Sequence, residues 1–232
     1  MSHTLQTPNR ASRRGALGAA LALVLSGCAR EEPAVERRLL VIDGIEITFD
    51  ELKPYVDFID TFEPETGTKT KHVWVMRDYL LPLKVARRTF AKEREEQRKL
   101  AEGLRSVADN VAELERQAEL IKHKARRDIT RKSAFLPVAM WAFDPLNTLA
   151  VSPPLELPAG WFVVGVYDFH ESPMVTTDYV DALQVGFVTH TSKEWRAFWE
   201  AEKQRIGDKV TFVHPDYRDD LPKWMTPPQE KP

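Results

Sequence analysis

The chain has a single cysteine, Cys28, which excludes an internal disulfide and any scaffold built on disulfides. No apolar run reaches the ~20 residues that a membrane-spanning helix requires. Charge of one sign is not in excess. The 33 Lys and Arg against 35 Asp and Glu leave a formal charge of −2, so there is no electrostatic footprint for nucleic acid. The common catalytic motifs are missing as well: no Gly-rich phosphate loop, no G-x-S-x-G elbow and no H-E-x-x-H pair. No repeat recurs at a fixed period. What is present is an ordinary globular composition, 43% hydrophobic and 29% charged over 232 residues, which excludes disorder throughout.

The N-terminus has a pattern of its own. Arg13 and Arg14 precede a short apolar, small-residue run from Ala16 to Leu25. That run is too short to span a bilayer and has the length of a signal-peptide core. It ends in Leu25-Ser26-Gly27-Cys28, which resembles the lipobox of bacterial lipoproteins: an aliphatic residue, two small residues, and the cysteine that is lipidated and becomes the first residue of the mature chain. The resemblance implies a signal peptide over 1–27, lipidation at Cys28, and a charged tether over 28–38. Two or more acyl chains would then hold the protein firmly on a membrane. Ala29 follows the cysteine where an Asp would mark inner-membrane retention, so the resemblance implies the outer membrane, facing the periplasm. Ser12-Arg13-Arg14 also resembles a twin-arginine signal, and the export route stays open between that and the general secretory path.

From Leu39 onward the pattern predicts an α+β fold, mostly helical. Leu39–Ile42 reads as a strand, Asp43-Gly44 as a hairpin turn and Ile45–Ile47 as the returning strand. Thr48 and Glu51 form a capping box ahead of a helix whose apolar face carries Leu52, Tyr55, Val56, Ile59 and Phe62. A second helix, about Lys71 to Phe90, contains Pro82, which should kink or divide it. Leu100, Leu104, Val107, Val111, Leu114, Ala118, Ile121 and Ala125 then follow at alternating steps of four and three. That is a heptad seam of about four heptads, and it predicts one long amphipathic helix over 91–131. Beyond it, Trp161–Tyr167, Leu183–Val188 and Lys209–Val213 read as strands of a small antiparallel sheet, with a short helix over Lys193–Ile206. The tail from Pro215 is rich in Pro and charge and is expected to be loosely held. The domains expected are 39–132, helical, and 133–215, a small α+β region, followed by a flexible tail over 216–232.

No catalytic residue and no metal ligand is assigned. His170, His190 and His214 each follow a predicted strand. They are read as loop histidines with local hydrogen bonds rather than as a metal cluster near Asp168 and Asp216. Asp178, Asp181, Asp216, Asp219 and Asp220 are read as a solvated acidic surface. The six Trp residues are more informative, because exposed aromatic area among them would mark a binding surface.

Two stretches resemble a known family. Val41 to Thr48, the acidic helix start behind it and the Tyr79-Leu80-Leu81-Pro82-Leu83 helix resemble the N-terminal chaperone segment of SurA/PrsA-type periplasmic foldases, with Asp43 in place of the usual Asn. The match covers about Leu39 to Ala101. Val151 to Val166 resembles the last hairpin of a parvulin isomerase domain. Trp195 to Tyr217 resembles the helix and strand by which such foldases return to the N-terminal segment. The span from Arg131 to Val166 is too short for a whole parvulin domain, and the paired histidines of its active site have no counterpart. The resemblance therefore implies a SurA-like holder of extended or unfolded exported proteins, lipid-anchored, non-catalytic and needing no cofactor. Its candidate peptide-binding residues are Tyr55, Ile59, Phe62, Trp74, Tyr79 and Leu83. Two alternatives stand beside it. One is an envelope lipoprotein that docks a partner through the seam at Leu100, Leu104, Val107, Val111, Leu114 and Ile121. The other is a reduced peptidyl-prolyl isomerase.

Overall fold

A computed structural model describes residues 37–226. The expected lipidation site, Cys28, and the tether up to residue 36 lie outside the described residues.

The first hairpin forms as the sequence requires. Strand β1 (Arg38–Ile42) pairs antiparallel with β2 (Ile45–Thr48) across Asp43-Gly44. Both turn residues have positive φ, 50° and 74°, the type I′ geometry that matches the twist of the strands. Thr48 then caps α1 (Phe49–Asp60), with the reciprocal bonds to Glu51 both made. Leu52, Val56 and Ile59 bury one face of that helix. The second helical stretch runs as α2 (Thr68–Val75), a π turn (Met76–Leu80) and α3 (Leu81–Thr89). Pro82 sits in the first turn of α3, where its missing N–H is tolerated. The wider π turn ahead of it takes up the break in the α-helical bonding.

The long heptad helix does not form. The segment is α4 (Ala91–Val107), a break, α5 (Val111–Ala118), and then a strand, β3 (Lys124–Thr130). Asn110 starts the new helix by accepting the Glu113 N–H at 3.0 Å, which is a strong N-cap arrangement. Of the seam residues, Leu104, Val111, Leu114 and Ala118 are buried, and Ile121 packs beside them. Leu100 and Val107 are about half exposed. Ala125 lies in β3 and is exposed. The physical reason is that the buried part of the seam has a sheet to pack on. It covers Val163, Leu183 and Val185 of that sheet, and it needs no partner helix.

That sheet has four antiparallel strands in the order β3-β6-β5-β4, with β4 (Leu155–Leu157), β5 (Gly160–His170) and β6 (Tyr179–Val188). Helices α4 and α5 cover one face. The other face, with Val164, Val166, Val180, Ala182 and Ile129, packs on α6 (Leu136–Ala142) and joins the core of the N-terminal helices. β3 is an edge strand, and its Lys124, Arg126 and Arg127 put charge where another chain could otherwise add on.

Helix α7 (Ser192–Gly207) is capped by Thr191 and Glu194 and leads into β7 (Val210–Val213). β7 pairs antiparallel with β1, Leu40 opposite Val213 and Val41 opposite Phe212, in a second sheet of order β2-β1-β7. The division expected at residue 132 therefore does not follow the packing. β1 and β7, from opposite ends of the described chain, share a sheet, and the described residues fall in one compact unit. The tail also differs from expectation as far as Thr226. Tyr217, Leu221 and Met225 are buried, because the chain continues in short 3-10 turns over the main core. Among the described residues, no helix is long and apolar enough to cross a membrane.

Candidate functional site

A groove of about 370 Å³ opens between the end of α1, the outer side of α2 with its π turn, and the link from β3 to α6. Ile59, Phe62, Val75, Ala134 and Leu136 form its apolar lining, and Trp74 stands at its lip. Trp74 is 38% exposed, the one Trp of the six among the large exposed hydrophobic residues. Its position follows from helical spacing. Val73 and Val75 are buried in the core, so the residue between them on α2 is turned outward.

The groove's charged groups are of both signs and mostly paired. Lys132 forms a salt bridge with Glu63 from the opposite wall. That contact, foremost, holds the Glu63 carboxyl below its usual range, with the Thr66 hydroxyl adding to it. On the π turn, Arg77 grips Asp78 through two bonds of 2.6 Å. Arg131 donates to Asp178 at 2.6 Å and lies over the Phe143 ring at 4.5 Å. Burial raises the Asp178 carboxyl, but the Ser172 N–H and Arg131 outweigh it and bring it below its usual range. These pairs leave no lone carboxylate or unpaired imidazole at the groove to act as a base. A mixed, paired rim around an apolar floor offers contact area and excludes water.

Three of the six expected peptide-binding residues, Ile59, Phe62 and Trp74, line the groove. The other three do not. Tyr55 and Tyr79 meet edge to face with ring centroids 4.9 Å apart, and the Tyr79 hydroxyl donates to the Glu156 carbonyl at 3.2 Å. Burial, then the contact with Tyr55, pushes the Tyr79 hydroxyl well above its usual pKa. Leu83 is 3% exposed in the core. Tyr79 thus ties the π turn to β4 through Glu156, and neither Tyr79 nor Leu83 lines the groove. Sequence reasoning missed Arg131, Lys132, Ala134 and Leu136, because the heptad pattern carried the expected helix through residue 131. The β3 segment, Lys-Ala-Arg-Arg-Asp-Ile-Thr, has no apolar alternation and is exposed over its first five residues, so nothing local marked it as a strand.

His170, His190 and His214 have different neighbours. His170 lies 3.3 Å from Asp168 and stacks on Tyr179. His190 packs on Phe90. His214 meets Phe49 and Tyr217, where His72 Nδ1 also lies 2.6 Å from the Tyr217 hydroxyl. Among the described residues, no group of three or more His, Cys, Asp or Glu is placed to hold a metal ion. Comparison of the chain with protein-family models, with curated proteins and with solved structures gives no match. The groove's own chemistry is therefore what bears on function.

Proposed function

We propose that the protein is a lipid-anchored envelope factor that holds extended or unfolded segments of exported polypeptides at the groove beside Trp74, without a cofactor. The observation that carries this reading is the combination at one place of an exposed Trp, an apolar floor and a rim of paired charges. Aromatic anchors surrounded by polar rims dominate the energetics of polypeptide binding. A π turn borders the site, and such turns recur at functional places in helices.

Two further features support the foldase-like resemblance on which the proposal also draws. The C-terminal helix and strand do return to the first hairpin, through β7 on β1. The hairpin expected between Val151 and Val166 is present as β4 and β5. Lipid on Cys28 would place the domain near the membrane, since residues 29–37 reach at most about 30 Å when extended.

The test is to add the purified protein, at stoichiometric amounts, to an outer-membrane protein diluted out of denaturant, and to follow light scattering. Suppression of aggregation that Trp74→Glu removes is the expected result. No suppression by the unaltered protein would sink the proposal. Catalysed isomerisation of a proline peptide would move the assignment to the isomerase alternative.

A further inference from the structure

A second cleft, of about 440 Å³, lies on the four-stranded sheet; Phe135, between Ala134 and Leu136 of the groove, is part of its lining. Its origin is topological. Helix α6 covers the Val164-Val166-Val180-Ala182 part of one sheet face, but the same face continues to the other end of β6. The register places Ala125 and Val164 on either side of Gln184, and Arg127 opposite Ala182. Alternation along the strands therefore puts Ala125, Arg127 and Gln184 on this one face. Phe162 lies across Gly186, whose missing side chain makes room for the ring. A Cβ there would fall 2.7 Å from a ring carbon. Phe135, at the start of α6, and Val188 complete an apolar lining, and the start of α7 closes one end.

Two observations point to a ligand in the cleft. Gln184 is 7% exposed, and its amide nitrogen is buried with no hydrogen-bond partner. Buried polar groups in native proteins are nearly always paired, and an orphan calls for an explanation. The second is charge. Lys122, Lys124 and Arg127 line the cleft, and none of them forms a salt bridge among the described residues, although Arg126 beside them pairs with Asp181. No carboxylate lines the cleft. The nearby Glu194 is engaged in capping α7, accepting from the Thr191 N–H and hydroxyl at 2.8 Å each.

We propose that this cleft captures the carboxyl terminus of an extended polypeptide whose last side chain is apolar. The terminal carboxylate meets Lys122 and Arg127. The last side chain lies on Phe135, Phe162 and Val188. The Gln184 amide, which can both donate and accept, pairs with a peptide group of the bound chain. Charge complementarity selects an anion, the apolar floor selects an amphipathic one, and the buried amide selects one that carries peptide groups. The proposal rests on the reading of the protein as a holder of extended chains, but not on the groove at Trp74.

The test titrates the full chain with a fluorescein-labelled hexapeptide ending in Val-Phe with a free carboxylate, and with the same peptide ending in a carboxamide, following anisotropy. The carboxylate form is expected to bind about tenfold or more tighter. The double variant Lys122→Gln, Arg127→Gln should bind both forms equally weakly. Both residues are exposed, so folding is not at risk. Gln184→Leu should weaken both forms alike, with its melting curve checked alongside. Trp74→Glu should leave the difference between the carboxylate and carboxamide peptides unchanged. Equal affinity for the two peptides, or carboxylate binding that the double variant retains, would overturn the proposal. So would laurate displacing the peptide at lower concentration than the peptide itself binds, which would make the cleft a site for free amphipathic acids. Loss of peptide discrimination with Trp74-dependent holding intact would remove this cleft alone. The converse would remove the groove alone.

Discussion

Asp43 and Arg205, 162 positions apart, meet at 2.8 Å. The same Asp43 carboxylate also takes Arg88 at 2.6 Å and Lys209 at 3.2 Å, so one turn residue gathers α3, α7 and the start of β7. The foldase-like pattern has Asn where this chain has Asp43. Both tolerate positive φ, but only Asp brings the charge that three cations require.

That cluster predicts a particular acid response. Burial alone would raise the Asp43 carboxyl, but the hydrogen bonds from Arg205, Lys209 and Arg88 outweigh it and lower the pKa from 3.8 to about 2. A depressed carboxyl contributes stability that is whole above the unfolded pKa and is lost as pH falls through the folded one. Asp43→Asn keeps the turn geometry and deletes the charge. It should lower stability at pH 7 by about 1 kcal/mol, the screened worth of such a surface cluster. The difference between variant and parent, from urea melts, should shrink as pH falls from about 4 to 2. A difference that stays constant over that range would refute the role given to Asp43.

Trp74 separates holding from folding. Its side chain is partly in water already, so Trp74→Glu should change the melting temperature little, as surface substitutions usually do. Loss of an aromatic anchor costs binding about 2 kcal/mol, or about thirtyfold in affinity. Aggregation assays at rising protein concentration should show that shift. Tyr55→Phe, away from the groove, should show none.

Anchoring is tested at Cys28. If lipid on Cys28 is the anchor, cells supplied with a labelled fatty acid should label the parent protein and not Cys28→Ser. A parent that takes up no label would refute the anchor.

How much of this was legible in the sequence depends on the range of the interactions. The hairpin at Asp43-Gly44, the Thr48–Glu51 capping box and the strands around Val164 and Val185 were readable, because turn geometry, capping and strand period are local. The helix expected over Lys193–Ile206 begins one residue earlier, at Ser192, behind a capping box of Thr191 and Glu194. The return of the C-terminal strand to β1 was implied only by the foldase resemblance at Trp195 to Tyr217, since nothing local encodes a pairing across 170 residues. Half of the candidate groove was legible as an apolar helix face. Its other wall, Arg131 to Leu136, was hidden by a heptad pattern that continued past the point where the helix ends.

The seam itself gives the sharpest contrast. As a coiled-coil stripe, Leu100 and Leu114 would occupy equivalent positions, two heptads apart, and would matter equally. In the fold they differ: Leu114 is fully buried on β5 and β6, while Leu100 is 54% exposed on α4. Leu114→Ala should therefore cost about 2–5 kcal/mol, the transfer and cavity terms of a core leucine. Leu100→Ala should stay within about 0.5 kcal/mol. Urea melts of the two variants decide it. Similar large losses at both sites, made concentration-dependent by association, would mean that the seam packs on another chain and not on its own sheet.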